Sequence, residues 1–173
     1  LCPDKIGMDR WLDIHQAAHR MGIPTNATLL YGHIETEEEI IQHLQLLREA
    51  QDETGGFQAF VPLAYHPQGN QMGGRGPSGI RSLRIMAISR LMLDNVPHMK
   101  AYWVMLGTRL AQVALCFGAD DLDGTVVDER ITHMAGATSP RELTVREIRA
   151  FIEETGRVPV ERTSLYEPCE MAH

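Results

Sequence analysis

Hydrophobic positions fall along the chain in two rhythms, short unbroken runs and longer stretches with helical spacing, and the two alternate. DRWLDIHQAAHRMG places Trp11, Ile14, Ala18 and Met21 near one predicted helical face, with Gly22 set to end it. Pro24 breaks the chain and TNATLL opens an extended apolar run. Thr36 and Glu39 have the spacing of a capping box, so a second helix is expected from there, burying Ile40, Leu44 and Leu47 and stopping before Gly55. FQAFVPLAY (57–65) reads as a second buried strand. A glycine-rich stretch at 69–79 leads into a helix with Ile80, Leu83, Ala87 and Leu91 on one face. KAYWVML (100–106) reads as a third strand, RLAQVALCFG as a short helix ending at Gly118, and DDLDGTVV (120–127) as a fourth, unusually polar strand. A second capping box at Thr144 and Glu147 starts a helix carrying Ile148, Phe151 and Ile152.

Strands alternating with helices imply parallel strands joined by right-handed crossovers. A sheet covered on both faces also accounts for apolar runs without strict alternation. An open doubly wound sheet and a (β/α)8 barrel both fit, but no glycine fingerprint for a dinucleotide follows any strand. A full barrel takes about 250 residues. The expectation is therefore an α/β fold, half of a barrel with four parallel strands over residues 1–131, and a helical extension over 132–173. The opening LCPDK has no initiator methionine and reads as cut from something longer.

Composition narrows the partners. With 173 residues, 43% hydrophobic and 23% charged, the chain suits one globular domain. Sixteen basic against 23 acidic residues, a net charge of −7, argue against a nucleic-acid surface. No apolar stretch is long enough to span a bilayer, and with no secretory signal the cytoplasm is the expected compartment. Cys2, Cys116 and Cys169 show no metal-binding spacing.

Ligands of such folds lie beyond the carboxyl ends of the strands. The first exit offers Tyr31, Gly32, His33 and Glu35, the second Tyr65, His66, Pro67 and Asn70, the third Gly107, Arg109 and Gln112, and the fourth Asp123, Gly124, Thr125 and Asp128. Each has a plainer reading: His33 as a solvated loop residue, His66-Pro67 as a turn, Asp120 and Asp121 at an exposed strand entry. Asp123 is harder to dismiss, because a carboxylate in a buried strand needs a partner. A divalent-metal hydrolase using His33, His66 and Asp123 is the alternative of another class.

The blocks NATLLYGHIET, LLREAQDETGGFQAFVPLAYHP, RLMLDNVPHMKAYWVMLG, AQVALCFGADDLDGTVVDERITHMAGA and PVERTSLY resemble the aminofutalosine synthase family of radical S-adenosylmethionine (SAM) enzymes of menaquinone biosynthesis. Dehypoxanthine futalosine cyclase and the deazaflavin FO synthase subunits are sister readings. The resemblance implies a barrel whose last four strands are those found here, SAM, and a four-iron four-sulfur cluster. The cluster's Cys-x3-Cys-x2-Cys loop is absent from this sequence and would lie upstream of Leu1. Residues 28–35 resemble the family's fifth-strand pattern, with Gly32 and Glu35 matching, Leu30 in place of isoleucine and Thr28 in place of the first glycine. By that resemblance Leu30 packs on adenine, Gly32 allows close approach, Glu35 supports the loop, and Tyr31 and His33 face SAM or substrate.

The implied reaction adds a 5′-deoxyadenosyl radical to 3-[(1-carboxyvinyl)oxy]benzoate, giving aminodeoxyfutalosine. Two substrate carboxylates call for donors; Arg109 and the helix start after Gly107 are the candidates, with His66, Asn70, Asp123 and Thr125 completing the expected substrate side. Where the family has a Glu-Asn-Thr-like run after His-Pro, this chain has Gln68, Gly69 and Asn70. The expected partners are the amino-terminal half of the same protein and an electron donor such as flavodoxin or ferredoxin. The chain alone is expected to be inactive.

Overall fold

The computed structural model describes residues 5–68, 72–124 and 143–169. Its elements alternate as the pattern predicts: α1 (Met8–Arg20), β1 (Thr25–Tyr31), α2 (Glu37–Thr54), β2 (Phe57–Ala64), α3 (Gly79–Met92), β3 (His98–Met99), α4 (Trp103–Leu106) and α5 (Thr108–Ala114), then a 3₁₀ turn (Leu115–Phe117) and α6 (Val145–Glu153). The strands form a parallel sheet in the order β1-β2-β3. Thr28 pairs with Val61 and Leu30 with Leu63, while Phe60 pairs with Met99.

Burial in β1 alternates, with Ala27, Leu29 and Tyr31 buried and Asn26, Thr28 and Leu30 exposed. One sheet face therefore packs on helices, where Leu44, Leu47, Ile85, Met86 and Phe60 form the core with Ala27 and Tyr31. The other face is open to solvent along β1. Both capping boxes are present, at Thr36–Glu39 and at Thr144–Glu147, and Gly55 ends α2 in the left-handed conformation.

Four expectations are corrected. The third strand is shorter and earlier than 100–106: extended pairing covers His98–Met99, and 103–106 is a helical turn. An apolar run of that length does not by itself separate strand from buried helix. In α3 the inward face is Ser82, Ile85, Met86 and Ser89, and Ile80 and Leu91 point to solvent at 68% and 79% exposure. Two small serines let the helix approach the sheet closely, which counting hydrophobic side chains misses. In α1 Ile14 and Met21 are exposed, and the inward face carries Trp11, Leu12, His15 and His19. Of the fourth strand, only a single parallel bridge, Lys100 to Asp121, appears among the described residues. Residues 125–127 lie outside them, as does the 132–142 portion of the expected extension.

The rest of that extension is not set apart from the core. Ile148, Phe151 and Ile152 of α6 pack on it, and Gln112 donates to the Phe151 carbonyl at 3.1 Å. Residues 157–169 then run back as a strap beside Asp121, tied by an Arg162–Pro168 bridge and a turn in which Thr163 N–H donates to Glu167 O.

Candidate functional site

The β1 exit is a tight, self-bonded turn. Glu35 folds back so that its carboxylate accepts from the Gly32 N–H at 2.5 Å and the His33 N–H at 2.9 Å. Arg81, in the first turn of α3, donates to the same carboxylate at 3.2 Å and to Glu37 at 2.9 Å. Burial pushes the Glu35 carboxyl up, but the N–H groups of Gly32, His33 and Glu35 itself, with His33 beside it, outweigh that and leave its pKa below the ordinary value. Gly32 has φ of +90°, and a Cβ there would lie 2.6–2.8 Å from Pro77. The α-carbon of Gly32 thus faces the chain's own Pro77, and a cofactor must approach from another side of the turn.

His33 Nδ1 lies 2.6 Å from the Ile34 N–H and 3.1 Å from Glu35 Oε2. It accepts from Ile34 when unprotonated and donates to Glu35 when protonated, never both. The ring meets Tyr65 edge-on, with centroids 5.8 Å apart. Leu30 is 47% exposed on the open face, in register with Leu63, and gives an apolar shelf on which a planar base can rest. Tyr31, expected at the cofactor, is instead 1% exposed on the helix-covered face, where burial raises its pKa and Ser82 and Arg81 lie beside it. Strand alternation sends it away from Leu30.

At the second exit, a cavity of about 210 Å³ is lined by Tyr65, His66, Pro67, Pro77, Met105 and Leu110, among others. His66 Nε2 lies 3.0 Å from the Met105 carbonyl, joining the second and third exits. Tyr65 donates its hydroxyl to Gly73 O at 2.9 Å. Arg109 is exposed on α5, outside that lining. Asn70, Thr125 and Asp128 lie outside the described residues.

The acidic run is where the plain reading needs revision. Asp121, expected at an exposed entry, has a side chain only 10% exposed. It accepts from Arg162 at 2.5 Å and from the Tyr166 hydroxyl at 2.9 Å, with Lys100 Nζ at 3.9 Å. Asp123 accepts from Lys100 at 2.9 Å, with Arg162 3.8 Å away. Asp120 accepts from Met99 N–H at 2.6 Å and Arg90 at 3.0 Å, with His98 Nδ1 at 2.8 Å. Tyr166 stacks on His98 at 4.0 Å and lies under the Arg162 guanidinium, also at 4.0 Å. Burial, then the Asp121 charge, pushes the Tyr166 phenol far up, so it stays a donor. Lys100, Arg162 and Tyr166 escaped the site reading. The argument that a buried charge needs a partner applies to Lys100 in its strand as much as to Asp123, and it was the available signal. A larger cavity, about 600 Å³, lies between α6, the strap and residues 120–124, away from the first two exits.

Among the described residues no group of three or more His, Cys, Asp or Glu side chains could hold a metal ion. His33, His66 and Asp123 therefore do not converge, and the hydrolase alternative loses its site. Cys116 is exposed and Cys169 half-buried, both unbridged, and Cys2 lies outside the described residues. The described side chains do not fit an iron–sulfur cluster. Among the described residues no helix is long and apolar enough to cross a membrane.

Residues 54–173 match the family model described as the CofH/MqnC C-terminal region. Over 167 residues the chain is 53% identical to an aminodeoxyfutalosine synthase of Thermus thermophilus, covering 94% of this chain and 45% of that protein. It is 45% identical to a 5-amino-6-(D-ribitylamino)uracil–L-tyrosine 4-hydroxyphenyl transferase of Methanosarcina barkeri, over 96% of the chain and 46% of the relative. Its identity to the transferase of that name from Archaeoglobus fulgidus is 43%, over 96% and 49%. The chain spans about half the length of the curated relatives it matches.

Proposed function

Since the chain belongs to the CofH/MqnC C-terminal family, we propose that it is the carboxyl-terminal half of a radical SAM barrel that makes aminodeoxyfutalosine. In this reading residues 1–131 supply the last four strands and 132–173 the extension. The other strands, the cluster-binding cysteines and the reductant, a flavodoxin or ferredoxin, come from outside the described residues. The observation that carries the choice of reaction is the identity of 53% with a synthase, against 45% and 43% with two transferases.

Leu30 and the turn Gly32–His33 form the adenosyl side. The His66 cavity forms the side for the substrate carboxylates, and Arg109, exposed on α5 next to the lining residue Leu110, is their donor in this reading; Asn70 and Thr125, outside the described residues, stay on the substrate side by the sequence alone. Support comes from the sheet itself: the exits of β1 and β2 lie side by side, joined by the His33–Tyr65 ring contact. Asp123, already paired with Lys100, shapes the wall and binds no substrate. SAM, when bound, supplies the deoxyadenosyl group; this chain's residues orient it and exclude water.

The test uses the intact protein with cluster, reductant and SAM. Supplied with 3-[(1-carboxyvinyl)oxy]benzoate it forms an adenosyl adduct; supplied with tyrosine and 5-amino-6-(D-ribitylamino)uracil it forms no joined product. The reverse result would transfer the chain to the transferase reading, which the 45% relative favours.

A further inference from the structure

Among the described residues two non-glycine residues hold a left-handed backbone, Asp123 at φ 69° and Tyr166 at φ 64°. Such a backbone is unfavourable for a side chain bearing a Cβ and persists where surrounding contacts over-determine it, commonly at binding sites. Here the two are the ends of one network. Tyr166 donates to Asp121, Arg162 donates to Asp121 and stands 3.8 Å from Asp123, and Lys100 bridges Asp121 and Asp123. Asp121 also accepts the Asp123 N–H at 3.0 Å, and Trp103 donates to Gly124 O at 3.3 Å. The two cations Lys100 and Arg162 face the two carboxylates Asp121 and Asp123, so the cluster is self-neutralised. A binding site for an anionic substrate would keep cationic charge in surplus. Balance points to a latch.

We propose that the carboxyl-terminal strap is a positioning element for the site: Arg162 and Tyr166 hold Asp121, and through Asp121 and Lys100 they set the left-handed backbone at Asp123 and with it the wall formed by residues 121–124. The strap is anchored at the other end of the strands. Tyr166 stacks on His98 at the start of β3, and Gln58, near the start of β2, donates to Ser164 O at 3.4 Å. Residues remote in sequence from every strand exit thereby control the geometry of one of them. The strap does not touch substrate; it fixes a residue that shapes the wall.

The claim for substrate geometry rests on the reaction proposed above, so the experiment has two readouts. The first is amide hydrogen exchange in the intact protein, which needs no turnover. Arg162→Gln is expected to speed exchange at 121–124 about tenfold, and Tyr166→Phe, which keeps the stacking ring, by about threefold, as the loss of charge-assisted and single hydrogen bonds gives. Residues 57–64 stay protected, and Arg162→Lys restores part of the protection. Faster exchange confined to 161–168, with 121–124 unchanged, would overturn the proposal. The second readout is turnover: Arg162→Gln raises KM for the benzoate substrate more than it lowers kcat, and KM for SAM holds. Equal loss in both constants with the fold intact would also overturn it. If the parent protein makes no adduct, the reaction reading fails while the exchange result still decides the latch.

Discussion

The β1 exit and the turn at 121–124 are each organised by one nearly buried carboxylate, yet they draw on different parts of the chain. Glu35 takes its hydrogen bonds from Gly32 and His33, three and two residues away, with Arg81 as the one distant contributor. Asp121 accepts one local bond, from the Asp123 N–H, but its side-chain donors are Arg162 and Tyr166, 41 and 45 residues on. The first turn is written in one short stretch and closes once β1 ends. The second exists only when the strap has folded back. A local turn resists distant change, whereas a remote latch offers a handle by which the carboxyl-terminal segment acts on the site.

The largest test of that contrast is Asp121→Asn. Removing the charge leaves Arg162 and Lys100 largely desolvated with Asp123 as their remaining carboxylate, and breaking such a pair costs about 3 kcal/mol. The expected outcome is a lower urea midpoint at unchanged slope. A loss confined to a few tenths of a kcal/mol would mean that the strap is tied elsewhere.

Glu35→Gln is expected to cost less, about 1–2 kcal/mol, because the amide oxygen can still accept one of the two backbone N–H groups. Its signature is in the pH dependence. The Glu35 pKa lies below the ordinary 4.5, so between those values the unfolded chain binds the extra proton and stability rises with pH. The contribution is present above 4.5 and lost as pH falls through the depressed value. The parent and Glu35→Gln should therefore converge in acid. A gap constant with pH would show that the carboxylate's charge is irrelevant to the turn.

The same contrast sorts what the sequence made legible. The capping boxes, the end of α2 at Gly55 and the two long strands follow from local chemistry within a few residues, and the structure has them. The Glu35 turn, expected only from the family resemblance, is likewise closed within a few residues. The α3 face was misread because Ser82 and Ser89 are buried for their small size, a property set by the distance to the sheet. Tyr31 was misplaced because a strand exit was read as a list of residues, without carrying the alternation of Ala27 and Leu29 one step further. Arg162 and Tyr166 could not be assigned from spacing at all. Nothing local says that a strap near residue 162 returns to a carboxylate at 121.

The smallest expected effect concerns a third arrangement, intermediate between local turn and remote latch, where α1 meets the start of the sheet. Thr54 donates its hydroxyl to Ala50 O at 2.8 Å, so the same oxygen accepts from His19 Nδ1 at 2.6 Å. The proton is then on Nδ1, and Nε2 of neutral His19 accepts from the Thr25 hydroxyl at 2.7 Å. Thr25 in turn accepts from His15 Nδ1 at 2.8 Å. Both rings pack on Phe57, and a Cβ on Gly56 would lie 2.1–2.6 Å from His19 side-chain carbons, too close to fit. Protonating His19 sets a second donor against the Thr25 hydroxyl and reverses the chain. Burial lowers both histidine pKa values, and the neighbouring His19 charge lowers that of His15 further. Below the ordinary 6.5 the unfolded chain takes up protons that the folded chain refuses, so stability falls as pH drops through that window and is regained above it. His43, whose ring nitrogen lies 3.1 Å from Thr28 O, is lowered mainly by burial and acts with the same sign. Replacing His15 and His19 by glutamine should therefore reduce, without abolishing, the slope of the urea midpoint against pH below 6.5. An unchanged slope would place the dependence on groups outside α1, His43 and Glu35 among them, and leave α1 docked by its apolar contacts alone.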